Sequence, residues 1–373
     1  MKALILTTHT GGGHDACAAA IAEAWTARGN EALVRDCVAY AGQWASRAVC
    51  DGYVKLVRAI PREFGRVYRL GSRVSNPHLK SPIYAINAAY AFRMRQEIET
   101  FQPDVIVCTH LYAGQSVTHL RRKGWYRGPL VMVMTDYTIH PFTEDVEMDA
   151  LVLASPELTE EALGRSIPAQ RLFPSGIPVS LQCVPCADQA AAKRAVGLSA
   201  ELPEVLLVGG SMGAGDLPGD IEALLTAHPT ARITAVCGSN ARAKVEAEHR
   251  FSGNPRVTVR GTVSPLAPLM QAADVLVTKA GGLSVTEAMH IGVPLVILRP
   301  IEGCETANAD FCERHGAARW AHTPEELKAA VAALLADPEA RARMREAQHR
   351  AVPQDSAQAC TRLMDTLIKG AET

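Results

Sequence analysis

Short apolar runs alternate with longer mixed stretches along the chain, and many of the runs end in small or polar residues. Val275, Leu276 and Val277 form one such run, and it reads as a buried parallel strand. The run stops at Thr278 and Lys279, and Gly281-Gly282 supplies a turn where backbone can approach a ligand closely. A helix is predicted from near Ser284, ended by Gly292 and Pro294, with residues 295–298 as the next strand. The N–H groups and dipole of that helix's first turn make an anion site suited to phosphate. Strand, glycine turn, helix and strand put one ligand site at the carboxyl edge of a parallel sheet. Ser284-Val-Thr-Glu287 also fits a capping box, in which Glu287 would bind only the Ser284 amide.

The same rhythm opens the chain. Residues 3–6 are the first strand, TTHTGGG (7–13) the turn, 15–28 a helix and 32–34 the second strand, a βαβ unit. Ala19, Ile21, Ala22 and Trp25 are expected on the buried side of that helix. Gly11-x-Gly13-x-x-Ala16, with Asp36 twenty residues on, mimics a dinucleotide fingerprint and supports a rival reading as an NAD-dependent oxidoreductase. Against that rival, Thr7 to Thr10 separate the strand from the first glycine, and His14 at the helix mouth is not needed to hold a pyrophosphate. Further strands are predicted at 103–108, ending in Thr109-His110, and at 130–134, ending in Thr135-Asp136 with His140 four residues on. Two more, at 151–154 and 171–173, complete the first half, and residues 174–185 read as a linker.

The second half repeats the theme. Residues 205–208 run into Gly209-Gly210-Ser211-Met212-Gly213, and 233–236 into Cys237-Gly238-Ser239-Asn240. Residues 257–259 lead to Gly261-Thr262-Val263. Thr323-Pro-Glu-Glu326 is a capped helix start, and the remainder reads as helices. The expected class is α/β, with two nucleotide-fold-like halves facing each other across a cleft. The expected parts are an N-terminal domain (1–178), a C-terminal domain (179–350) and a last helix (351–373) that packs back on the first.

Residues 40–95 break this rhythm. Lys55, Arg58, Arg62, Arg66, Arg69 and Arg73 recur every three or four residues, on one face of a helix that Pro61 kinks or restarts. Such a stripe is either a solvated face or an arm that lies on anionic lipid; its local excess of charge favours the arm. The whole chain carries a net charge of only −1, so nothing draws it to nucleic acid. Ten scattered cysteines suit free thiols in a reducing compartment, and Cys183-Val-Pro-Cys186 lacks a second pair at zinc spacing. No apolar run reaches the roughly 18 residues that span a bilayer. The expectation is a protein that is soluble or bound to a membrane surface.

Taken together, several stretches resemble one family across nearly the whole chain. They are THTGGGHDACAAAI, TDYTIH, GIPV, LLVGGSMG, VCGSN, VTVRGTV, TKAGGLSVTEA with GVPLVILRP, and EGCETANADF. Each is modest alone, but their order and spacing are specific. The family is the lipid glycosyltransferases of the monogalactosyldiacylglycerol synthase and processive diacylglycerol glucosyltransferase type, relatives of the peptidoglycan N-acetylglucosaminyltransferase. The resemblance implies a GT-B fold, with a UDP-sugar bound by the C-terminal half and a lipid acceptor by the N-terminal half. Gly261 to Val263 would lie at the uracil, Glu287 at the ribose hydroxyls, and Gly281, Gly282 and Ser284 at the diphosphate. Glu305 and Asn308 would meet the sugar, and the glycine loops with Gly209, Ser211, Gly238 and Asn240 belong to the same donor site. His14 would be catalytic, with Asp136 and His140 on the acceptor side. The Thr-Asp-x-x-x-His spacing is closer to the bacterial glucosyltransferases than to the plant galactosyltransferases. Two positions depart from the family: Ala280 replaces a proline, and Cys304 replaces a glutamine just before Glu305. A thiol lacks the two-ended hydrogen bonding of an amide, so glucose and galactose both stay open.

The chemistry of these residues agrees. The chain has no Asp-x-Asp triplet to bring a metal to a diphosphate, and a helix N-terminus can stabilise that leaving group itself. No metal or other cofactor is expected. Histidine suits the proton transfer from an acceptor hydroxyl near neutral pH. A lone histidine is more often structural, but the glycine-rich turn and the family pattern favour function for His14. The expected activity is inverting transfer of a hexose from UDP-glucose or UDP-galactose to diacylglycerol or a similar lipid. It would take place on the inner face of the cell membrane, through the arm with Arg58, Arg62, Arg66 and Arg69. The alternatives are an N-acetylglucosamine transferase with a polyprenyl-linked acceptor, a UDP-sugar 2-epimerase and a non-catalytic nucleotide-sugar-binding subunit.

Overall fold

The computed structural model describes residues 1–9, 11–42, 80–213 and 215–371. The arginine stripe from Arg58 to Arg69 lies outside the described residues. The chain forms two compact units, one of Met1–Leu181, Glu302–Cys304 and Asp355–Thr373, the other of Gln182–Ile301 and Glu305–Gln354.

The first unit runs β1 (Lys2–Thr7), α1 (Gly12–Thr26), β2 (Glu31–Asp36), α2 (Pro82–Ala91), α3 (Arg95–Phe101), β3 (Val105–Cys108) and α4 (Leu111–Arg122). It continues through β4 (Leu130–Val133), β5 (Ala150–Val152), α5 (Leu158–Gly164) and β6 (Leu172–Phe173). Its six strands lie in the order β2-β1-β3-β4-β5-β6, and every pairing is parallel. Leu4 pairs with Leu33 on one side and with Ile106 on the other. Parallel strands between helices are covered on both faces, which is why β3, β4 and β5 are apolar and buried at every position.

The second unit runs α6 (Gln189–Ala195), β7 (Glu204–Val208), α7 (Leu217–Ala227), β8 (Arg232–Val236), α8 (Ala241–Arg250), β9 (Val257–Arg260) and α9 (Ala267–Ala272). It continues through β10 (Val275–Thr278), α10 (Gly282–Ile291), β11 (Leu295–Leu298), α11 (Cys304–Arg314), β12 (Arg319–Ala321), α12 (Pro324–Ala336) and α13 (Pro338–Ala351). Its strand order is β12-β11-β10-β7-β8-β9, again all parallel. The order reverses direction between β1 and β3 in the first unit and between β7 and β10 in the second. A parallel sheet opens a crevice at that point, outside the carboxyl ends of its strands.

α14 (Ser356–Ala371) belongs to the first unit and lies along α1. Arg28 on the α1 side donates to Thr361 Oγ1 at 3.0 Å and pairs with Asp365. This contact changes the expected inner face of α1. Cys17, Ala18, Ala20, Ile21, Ala24 and Trp25 are buried, whereas Ala19 is exposed and Ala22 only half-buried. The positions i, i+1, i+3 and i+4 give a stripe wide enough to meet both the sheet and a second helix.

Other elements follow the pattern with shifted ends. α1 begins at Gly12 rather than at Asp15, and α10 at Gly282 rather than at Ser284. At α12 the cap forms as expected: Thr323 Oγ1 accepts from Glu326 N at 3.1 Å. Residues 174–188 have no helix or strand, and Cys183 and Cys186 within them are free thiols. Among the described residues no His, Cys, Asp and Glu cluster could hold a metal, and no helix is long and apolar enough to cross a membrane.

Candidate functional site

In the first unit the sequence-marked polar residues converge on the crevice between β1 and β3. His14 is the third residue of α1 and half-buried. Its Nδ1 lies 2.7 Å from the carbonyl oxygen of Thr109, just past β3, and 3.2 Å from Thr135 Oγ1, just past β4. A carbonyl can only accept, so Nδ1 carries the proton. In the neutral ring Nε2 is then the basic nitrogen. Among the described residues no hydrogen bond occupies it. Burial lowers the His14 pKa below its ordinary 6.5, while the carboxylate of Asp136 opposes that shift. The ring is therefore neutral near pH 7.

The surroundings fix that ring. His110 packs edge-on against it with centroids 4.6 Å apart. His110 is itself held neutral by burial, and its Nδ1 accepts from Tyr112 N at 3.2 Å, capping α4. Asp136 is buried, and its Oδ2 lies 3.1 Å from His140 Nε2. Asp15, beside His14 on α1, takes a hydrogen bond from Thr7 Oγ1 at 2.9 Å and faces His9 Nδ1 at 2.7 Å. The sequence singled out His14, Asp136 and His140. It missed the Thr109 carbonyl, which any residue type would supply, and the Asp15–His9 brace.

In the second unit the candidate residues all follow strand ends on one sheet edge. Gly209 and Ser211 follow β7, Gly238 and Asn240 follow β8, and Gly261 and Val263 follow β9. The glycine turn follows β10, and Glu305 and Asn308 lie on α11 after β11. The first two loops are tied together: Ser239 N donates to Ser211 O at 2.9 Å, and Asn240 Nδ2 to Gly213 O at 2.8 Å. Asn240 Oδ1 also caps α8 through Ala243 N at 3.1 Å. Gly213 has φ +58°, and a Cβ there would overlap the Cys237 carbonyl. Only glycine permits that contact.

The turn before α10 does not form the capping box that was the alternative reading of Ser284 to Glu287. Helix α10 starts two residues before Ser284, with Gly281 as its N-cap and no side chain on its first amides. Ser284 is thus inside the helix. Glu287 lies a turn further in, half-buried, with no hydrogen bond or ion pair among the described residues. Burial alone pushes its carboxyl up to about 7. Asn308 contacts the same turn. It has no exposed surface, and its Nδ2 donates to Ala280 O at 2.9 Å. That bond ties α11 to the backbone of the glycine turn. Glu305 accepts from Ile301 N at 2.8 Å through Oε2 and pairs through Oε1 with Lys279, a residue the motifs left without a role.

With this geometry in place, the comparisons with known proteins are specific. The family model for monogalactosyldiacylglycerol (MGDG) synthase matches residues 14–179, and that for the glycosyltransferase family 28 C-terminal domain matches 204–359. The chain belongs to this family of lipid glycosyltransferases. A processive diacylglycerol beta-glucosyltransferase of Bacillus cytotoxicus is 25% identical over 93% of this chain and 88% of its own length. Among solved structures, Acinetobacter baumannii MurG superposes with a TM-score of 0.63 at 18% identity, covering 99% of each chain. The UDP-GlcNAc 2-epimerase of Neisseria meningitidis, solved with UDP-GlcNAc, reaches 0.62 at 14% identity, covering 99% of this chain and 100% of its own. At these identities the structures establish the fold, which is GT-B.

The Glu287 carboxyl sets a measurable pH dependence. Its folded pKa of about 7 lies above its ordinary 4.5, so the folded protein holds a proton that the unfolded chain releases. Stability should therefore fall as pH rises from about 4.5 to about 7. Glu287→Gln should remove this loss and gain on the order of 3 kcal/mol over wild type at pH 8, but almost nothing at pH 4.5. Urea unfolding at both pH values measures it, and an equal effect at both would refute the buried carboxyl.

Proposed function

We propose that the chain is an inverting hexosyltransferase that moves a hexose from a UDP-sugar to diacylglycerol or a similar membrane lipid. The observation that carries this reading is the fixed His14 ring, whose Nδ1 is committed to Thr109 while Nε2 is left basic, within a chain of this family. In one displacement the acceptor hydroxyl attacks the anomeric carbon, its proton passes to Nε2, and UDP leaves with the bonding pair. The field of Asp136 favours the imidazolium that forms, while burial keeps the resting ring neutral. Asp136 and His140 serve as a paired acceptor-side unit.

In the donor unit, the uncapped first turn of α10, with Gly281, Gly282 and Ser284, suits the diphosphate. Glu287 would accept from the ribose hydroxyls, Gly261 to Val263 would lie at the uracil, and Glu305 would meet the hexose. The loops with Gly209, Ser211, Gly238 and Asn240 build the floor of that site. The absence of an Asp-x-Asp triplet supports catalysis without a metal. The enzyme would work at the cytoplasmic face of the membrane, held by Arg58, Arg62, Arg66 and Arg69 on anionic lipid.

A panel of UDP-sugars offered with diacylglycerol tests the reading, with UDP release and glycolipid measured together. Matched release of UDP and glycolipid from UDP-glucose or UDP-galactose is the expected result. Interconversion of UDP-sugars without lipid would replace this reading with an epimerase, and no turnover by the lone chain would leave a binding subunit. His14→Ala should lower turnover by about a hundredfold to ten-thousandfold and keep UDP affinity near wild type. The pH profile should also lose its acidic limb, which the depressed His14 pKa places below pH 6.5. If that variant keeps turnover within a few-fold while Asp136→Asn abolishes it, the base is Asp136. Changing the four arginines to Gln should release the protein from anionic vesicles, at ~1 kcal/mol per charge. Equal binding before and after would make the stripe a solvated face.

A further inference from the structure

Lys279 is the first residue past β10, between that strand and the glycine turn. A side chain here would ordinarily reach for water, yet this one is only 16% exposed. Its ammonium lies 3.6 Å from the point where a side chain on Gly210 would begin, and 4.0 Å from the same point on Gly281. It therefore sits between the β7 and β10 glycine turns, at the crevice of the second sheet. Its partner is Glu305, 8% exposed, whose Oε2 is anchored by Ile301 N while Oε1 takes the ammonium.

A lysine–carboxylate pair taken out of water is a weak stabiliser, because both charges lose hydration. This pair also lies beside the uncapped N-terminus of α10, which favours negative charge. A diphosphate entering the turn would bring negative charge to amides that no side chain caps and would compete directly with Glu305 for the ammonium. We propose that Lys279 is the cation for the donor diphosphate and that Glu305 is its resting counter-ion. Donor binding exchanges one partner for the other. The exchange frees Glu305 Oε1, still positioned by the Ile301 amide, to accept from a hexose hydroxyl. One lysine would thereby couple diphosphate binding to sugar recognition. The inference deepens the UDP-sugar reading of this site and rests on it. The competing view is a brace that only joins the end of β10 to α11.

Calorimetric titration of the full chain with UDP and with uridine separates the two. Lys279→Gln should weaken UDP about ten- to a hundredfold, the worth of a hydrogen bond to a charged group, and leave uridine within about twofold. Glu305→Gln should bind UDP as tightly as wild type or more tightly, because no counter-ion has to be displaced. Lys279→Gln leaves a buried carboxylate unpaired, so the double variant Lys279→Gln, Glu305→Gln is measured beside it. It should show the same UDP loss relative to Glu305→Gln alone. Equal loss of UDP and uridine would make the pair a brace. Unchanged UDP affinity in either lysine variant, or a tenfold loss in Glu305→Gln, would overturn the exchange. A wild-type chain that binds neither UDP nor uridine would instead remove the donor reading itself.

Discussion

Each unit is governed by the uniform direction of its strands. When six strands run parallel, all their carboxyl ends lie on one edge, and each strand feeds a turn and then another element. Residues as distant in sequence as Ser211, Asn240, Gly281 and Glu305 therefore share one rim. The crevice opens where the order reverses, between β1 and β3 and between β7 and β10. His14 and Thr109 meet at the first of these and Gly210 and Lys279 at the second.

Burial then tunes the groups at those rims in opposite senses. It lowers the His14 pKa and leaves a neutral ring with a free nitrogen. It raises the Glu287 carboxyl towards neutrality. Both shifts arise because burial costs the charged form its hydration; the carboxylate of Asp136 opposes that shift at the histidine, while at Glu287 burial acts alone. Groups perturbed in this way at a sheet's crevice are candidates for a ligand site.

Architecture alone does not select among chemistries. The chain superposes equally well on an A. baumannii MurG and on a UDP-GlcNAc 2-epimerase. What selects among them is the sequence match over both halves. Fold and function are distinct conclusions here and rest on different observations.

The sequence by itself determined the strand-turn-helix rhythm, the two α/β halves, the glycine turns at strand ends and the prominence of His14, Asp136, His140 and Glu287. These are local signals: apolar runs with turn residues after them, and uncommon polar groups at fixed offsets. Only the tertiary structure decided which nitrogen of His14 is basic, because that depends on the backbone carbonyl of Thr109, 95 residues away. It also decided that Ala19 faces outward, since α14 returns to cover the other side of α1. It also buried Asn308 and tied its amide to the Ala280 carbonyl, because burial is a property of packing and not of residue type. The capping box at Ser284 failed for a related reason. Gly281 and Gly282 let the helix begin two residues early, and the same local sequence then left Glu287 without the partner that spacing had offered. Spacing named the residues, and three-dimensional packing assigned each its partner.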